Sequence, residues 1–174
     1  MAKPHVADWT AALVVMGVSG AGKSTIAQAL SARLGRPLIE GDSLHPPANI
    51  AKMSTGTPLT DGDRLPWLKA IAARIDDARK TRQPVIVTCS ALKRPYREIL
   101  TDGHDDVGFV YLRGTRDLIA SRLDARTNHF MPPGLLDSQF AALQEPGDDE
   151  PTIAIAIDAT PAQIVDKIVA RFTP

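Results

Sequence analysis

Residues Gly17-Val18-Ser19-Gly20-Ala21-Gly22-Lys23-Ser24 fit the pattern G-x-x-x-x-G-K-[ST], and Thr25 follows. Such a loop binds phosphate. Its glycines let backbone N–H groups turn inward around phosphate oxygens. A helix starting near Lys23 adds its positive end. Lys23 is then placed to reach the β- and γ-phosphates of ATP, and the Ser24 hydroxyl to reach Mg²⁺. The predicted nucleotide-binding residues are Gly17, Val18, Ser19, Gly20, Ala21, Gly22, Lys23, Ser24 and Thr25. The loop alone does not name a reaction. An N-K-x-D guanine motif is absent from the chain, which argues against a GTPase. A short chain carrying this loop and no extra domain points to a small-molecule kinase.

Three further groups of side chains could supply the rest of a phosphoryl transfer. Glu40-Gly41-Asp42 carries two carboxylates at i and i+2, which leave a strand on one side. One could hold Mg²⁺ or its waters, and the other could take a proton from an attacking hydroxyl. His45 follows, then Asp61, Asp63 and Arg64, where at least one acidic residue is expected to cap the next helix. Lys93, Arg94 and Arg97 form a cationic cluster suited to an anionic ligand. Arg122 and Arg126 are four residues apart on one helical face. They lead into a loop that could close over the γ-phosphate and neutralise developing charge.

Positioning these groups requires strands alternating with helices. Short apolar runs at Ala11–Met16, Pro37–Glu40, Val85–Thr88, Val107–Leu112 and Thr152–Ile157 read as strands. Amphipathic spacing predicts helices over Lys23–Leu34, Trp67–Thr81, Asp117–Arg126, Leu135–Leu143 and Pro161–Phe172, with short ones at Pro47–Met53 and Pro95–Leu100. Residues 41–63 otherwise read as loop. The expected fold class is α/β, a five-stranded, mainly parallel sheet with helices on both faces. In such a sheet the carboxyl ends of the strands line the ligand crevice. The adenine side is expected near the lid helix and the loop after the fifth strand, around 158–161.

Composition narrows the function classes. The 174 residues carry 20 Lys+Arg against 20 Asp+Glu, a formal charge of zero, so no general basic surface for nucleic acid exists. No apolar stretch approaches the ~20 residues of a membrane span. The single cysteine, Cys89, excludes an internal disulfide and reads as a small buried hydrophobe. A cytoplasmic setting is expected.

Four segments together resemble bacterial gluconokinases, small P-loop carbohydrate kinases related in fold to shikimate and adenylate kinases. They are MGVSGAGKST, GDSLHP with NIAKMSTGTPLTDGDRLPWL, CSALKRPYR, and SRLDARTNHFMPPGLLDSQFAALQEP. The resemblance implies a P-loop kinase fold in one domain over 1–174, with an acceptor-binding insertion at about 43–82 and a lid at about 122–136. It implies ATP- and Mg²⁺-dependent phosphorylation of D-gluconate at its 6-hydroxyl. Lys23, Asp42, Arg122 and Arg126 would be catalytic. Ser24 and Glu40 would hold the metal. Asp42, His45, Arg64, Lys93, Arg97 and His129 would bind the sugar acid. Kinases of this kind are commonly dimers, so a homodimer is allowed. Two departures stand out. The family often has Asp-Gly-Asp where this chain has Glu40-Gly41-Asp42. The lid commonly reads Arg-Lys-Gly-His-Phe, here Arg126-Thr127-Asn128-His129-Phe130. Alternatives are a kinase for another small acid or polyol such as shikimate, and a non-catalytic ATP-dependent switch.

Overall fold

Residues 12–16 are all buried and apolar, and this strand is the axis of the molecule. The computed structural model describes residues 6–126 and 133–172. Strands β1 (Ala12–Met16), β2 (Leu38–Glu40), β3 (Val85–Thr88), β4 (Val107–Arg113) and β5 (Thr152–Ala156) form one sheet in the order β2-β3-β1-β4-β5. Every pairing is parallel. Val14 sits between Val87 and Phe109 in the register.

Alternate residues of β1 serve two cores, as a pleated strand covered on both faces requires. Leu13 and Val15 pack with Ile26 and Leu30 of α1 (Lys23–Leu34), Ile119 of α5 (Arg116–Asp124) and Ile164 of α7 (Pro161–Val169). Ala12, Val14 and Met16 pack with Trp67 and Ile71 of α3 (Asp61–Thr81) and with Tyr96 and Leu100 of α4 (Arg94–Thr101). Two further helices, α2 (Pro47–Ser54) and α6 (Pro133–Ala142), lie beside the carboxyl ends of the strands through residues that share a cavity there. Among the described residues no helix is long and apolar enough to cross a membrane.

Each expected strand and helix is present, with ends differing by a few residues. The largest correction is at α3, which begins at Asp61 and not at Trp67. Its start is set by a capping box: the Thr60 hydroxyl accepts from Asp63 N–H, and the Asp63 carboxylate accepts from Thr60 N–H. Pro66 falls inside this helix, where it forgoes one backbone bond. The cap and the buried Trp67 and Leu68 outweigh that loss. Cys89 is buried, and burial pushes its thiol up to about 12.

Candidate active site

The turn after β1 brings the phosphate loop to the sheet's carboxyl edge. Gly22 precedes α1 with φ 94°, a left-handed conformation that a side chain would resist. Lys23 Nζ donates to the carbonyls of Gly17 and Val18, each at 3.1 Å. Burial lowers the Lys23 pKa, and the nearby Asp42 carboxylate opposes that shift.

Glu40 and Asp42 part company beyond β2. A 3-10 turn over Gly41–Leu44 follows the strand, so the two-residue alternation ends at Glu40. Glu40 Oε2 accepts from Ser24 Oγ at 3.1 Å and from Thr88 Oγ1 at 2.6 Å. Asp42 lines a cavity instead. Gly41 makes this turn fit against β3: a Cβ there would lie 2.0 Å from the Thr88 carbonyl. Its N–H donates to Thr88 Oγ1, and its carbonyl accepts from Trp67 Nε1 at 2.8 Å. The sheet and α3 therefore fix the Glu40 carboxylate and the backbone turn that presents Asp42.

Oxygen donors of this kind suit Mg²⁺. The Ser24 hydroxyl and the Glu40 carboxylate are adjacent, and Thr88 orients the latter. Among the described residues no group of three His, Cys, Asp or Glu could hold a metal by itself. An ion here would share its oxygens with nucleotide phosphates, which is the usual habit of Mg²⁺.

Two cavities flank the loop. One, of about 280 Å³, is lined by Ser19, Lys23, Asp42, His45 and Arg64, with Ile50, Met53 and Leu59 as an apolar wall. The other, of about 290 Å³, is lined by Gly20, Ala21, Gly22 and Thr25 and by Arg122, Arg126 and Ala159. It lies where the adenine side was expected. Arg122 also donates to the Ile157 carbonyl at the end of β5, while Arg126 is exposed. Both arginines thus stand on the nucleotide side.

The first cavity has an ordered wall. The His45 ring stacks on Trp67 with centroids 4.1 Å apart. The buried Asn49 spans His45 Nδ1 at 3.3 Å and the Asp63 carbonyl at 2.9 Å. Asp63 also pairs with Lys52 at 2.6 Å, and that bond with the Thr60 N–H holds its carboxyl down at about 2. Burial lowers the His45 pKa. Arg64 lies 5.8 Å from the centre of the Tyr96 ring.

The cationic cluster divides. Lys93 pairs with Asp61 at 2.8 Å, and Tyr96 also donates to that carboxylate. Lys93 lines a side pocket shared with Arg64. Arg94 pairs with Asp149. Arg97 does not reach the site. It is 2% exposed and grips Glu150 through two bonds, at 2.5 and 2.9 Å. Its third bond holds the Ala91 carbonyl at 2.9 Å, in a residue with φ 46°. Burial raises the Glu150 pKa, but Arg97 and the Gly147 N–H outweigh this and leave the carboxyl below its ordinary value. Arg97 is thus a buried strut for the loop after β3, not a ligand. Sequence reasoning saw cations at a helix start, where they oppose the dipole, but not that Asp149 and Glu150 of the acidic loop pair with Arg94 and Arg97. His129 lies outside the described residues.

Three participants escaped the sequence reading. Thr88 is a polar residue ending an apolar strand, a signal that was available. Asn49 and Gln139 sit within helical patterns and gave none. Gln139 of α6 accepts from the Ser19 N–H at 2.7 Å.

Comparison with known proteins agrees with this arrangement. A family model described as an AAA domain matches residues 13–146. A gluconokinase of Gluconobacter oxydans is 48% identical over 92% of this chain and 90% of its own. The thermoresistant gluconokinase of Escherichia coli is 44% identical over 82% of this chain and 81% of its own. A crystal structure of a gluconokinase from Sinorhizobium meliloti superposes with a TM-score of 0.86 at 45% identity, covering 94% of this chain and 92% of that one. With its P-loop, its paired cavities and this likeness over nearly its whole length, the chain belongs to the gluconokinase family of P-loop kinases.

Proposed function

We propose that the protein transfers the terminal phosphoryl group of ATP to the 6-hydroxyl of D-gluconate, giving 6-phosphogluconate and ADP. The observation that carries this reading is one cavity that joins Lys23 of the phosphate loop to Asp42, His45 and Arg64. Phosphate binder, proton acceptor and cation for the sugar acid thus face a common space. Relatives at 44–48% identity bear the gluconokinase name, which favours gluconate over shikimate or a mere nucleotide switch.

Arg64 holds the gluconate carboxylate, because Lys93 is already neutralised by Asp61. His45 and Asp42 orient hydroxyls. Asp42 accepts the proton of the 6-hydroxyl as its oxygen bonds to the terminal phosphorus and the bridge to ADP breaks. A loose transition state makes this transfer late, so placement matters more than basicity. Lys23, Arg122 and Arg126 balance charge on the phosphates. Ser24 and Glu40 would hold Mg²⁺, which would supply charge neutralisation for the phosphates. Residues at about 43–82 serve as the acceptor-binding insertion and about 122–136 as the lid, of which 127–132 lie outside the described residues.

The test is ATP turnover coupled to ADP release, with gluconate, shikimate or no acceptor, with and without Mg²⁺, and identification of the sugar product by phosphorus NMR. Turnover that requires gluconate and Mg²⁺ is expected. ATP binding without gluconate-dependent turnover would overturn the assignment and leave the fold intact.

A further inference from the structure

One loop amide has an unexpected partner. Ser19 N–H donates to Gln139 Oε1 at 2.7 Å, and Gln139 Nε2 reaches back to Ser19 Oγ at 3.3 Å. The two residues are 120 positions apart. The contact ties the phosphate loop to α6 at two points.

Ser19 has a distinct place in the loop. It lines the cavity of Asp42 and Arg64, whereas Gly20, Ala21 and Gly22 line that of Arg122 and Arg126. Ser19 and its partner Gln139 both line the acceptor-side cavity, where the terminal phosphate of a nucleotide would lie. Loop amides of this pattern serve phosphate oxygens. Here the same hydrogen is held by a carboxamide oxygen. Two acceptors cannot share it at full strength. A phosphate oxygen is the stronger one, because its bond is charge-assisted.

We infer that Gln139 is a positioning residue that makes nucleotide binding sensitive to the terminal phosphate. Its carbonyl holds the Ser19 N–H until a γ-phosphate takes it. ADP has no group to make that exchange and leaves the contact in place. ATP displaces the carboxamide and releases it within the cavity that Gln139 already lines with Leu135 and Ser138 of the same helix. This inference rests on the kinase reading above.

The experiment compares binding of ADP and of a non-hydrolysable ATP analogue, by calorimetry, in wild type, Gln139→Glu and Gln139→Leu. Glu keeps the acceptor, charges it and repels a terminal phosphate. The analogue should bind at least ~10-fold more weakly, as loss of a charge-assisted bond would give, and ADP should be unaffected. Leu removes the competitor, so the analogue should bind about 2- to 10-fold more tightly, the span of one net hydrogen bond, again without effect on ADP. A strut with no phosphate-sensing role predicts otherwise: both nucleotides would shift together, or neither would shift. Either result overturns the inference. Wild type that binds neither nucleotide would instead overturn the kinase reading on which it rests.

Discussion

Glu40 stands 3.1 Å from the Ser24 hydroxyl, with its carboxylate oxygen steadied by Thr88 at 2.6 Å. The aspartate that the family resemblance led one to expect is one methylene shorter, and here the longer side chain bonds directly to the Ser24 hydroxyl, the group proposed to hold Mg²⁺. Groups that orient metal ligands typically contribute 10–100-fold to metal affinity. Glu40→Gln is therefore expected to raise the Mg²⁺ concentration for half-maximal turnover by about 10–100-fold, with the KM for gluconate little changed. A Mg²⁺ titration of initial rates decides it, and an unchanged titration would remove Glu40 from the metal site.

Asp42 and Lys23 share the acceptor cavity, yet their losses should look different. Asp42→Asn keeps shape and removes the proton acceptor. A kcat fall of about 10²–10⁴-fold is expected, with nucleotide binding intact. Lys23→Ala should weaken both nucleotide binding and turnover. Steady-state kinetics beside direct nucleotide titration separate the two patterns. Near-normal kcat in Asp42→Asn would eliminate it as the proton acceptor.

Arg64 and Lys93 are both cations near the acceptor cavity, and of the two it is Lys93 that, among the described residues, pairs with a carboxylate, Asp61, at 2.8 Å. Asp61 is held below its ordinary pKa first by the Lys93 bond and then by Tyr96. Arg64 contacts the Tyr96 ring and faces the cavity. Arg64→Gln should raise the KM for gluconate by about 10–100-fold, the range for a lost charged hydrogen bond. Lys93→Gln should raise it far less. Equal effects would mean that Asp61 releases Lys93 to the substrate.

Arg97 and Glu150 form a buried pair with no route to the cavity. Glu150→Gln leaves the guanidinium uncompensated, which typically costs about 3–5 kcal/mol. Chemical denaturation should show that loss. At a temperature where the variant stays folded, the KM for gluconate should be near wild type. A large KM change with unaltered stability would return Arg97 to the substrate site.

The fold was legible because each strand is a short apolar run and helices such as Lys23–Leu34 and Trp67–Thr81 place apolar residues at helical spacing. The phosphate loop was legible for a different reason: its glycines and lysine act through backbone geometry at fixed spacing. What stayed hidden was pairing over long separations. Arg97 looked like a ligand because Glu150 lies 53 positions away. Gln139 looked like an ordinary helical residue because Ser19 lies 120 positions away. The start of α3 at Asp61 was missed although Thr60 and Asp63 have capping-box spacing, because residues 41–63, rich in Gly, Pro, Asp and Thr, read as loop. Residue type announces chemistry, but only the fold decides whether a charge is already satisfied.

His45 yields the pH prediction. Asn49 Nδ2 lies 3.3 Å from His45 Nδ1, a contact that a neutral imidazole with its proton on Nε2 satisfies by accepting at Nδ1. Burial between Trp67 and the cavity lowers its pKa, Asp42 opposes this, and Arg64 adds to it. The folded value thus lies below the unfolded value of about 6.5. The folded state binds fewer protons in that range, so this stabilisation is complete above pH ~6.5 and is lost as pH falls toward and through the folded pKa. A neutral His45 donating from Nε2 to a substrate hydroxyl should place the acid limb of kcat/KM for gluconate below pH ~6.5. His45→Gln, which keeps a donor but cannot titrate, should shift that limb further toward acid. Rate profiles from pH ~5 to ~9 test both points. A wild-type limb above ~6.5, or one that His45→Gln leaves in place, would show that His45 is not the group whose protonation limits the reaction.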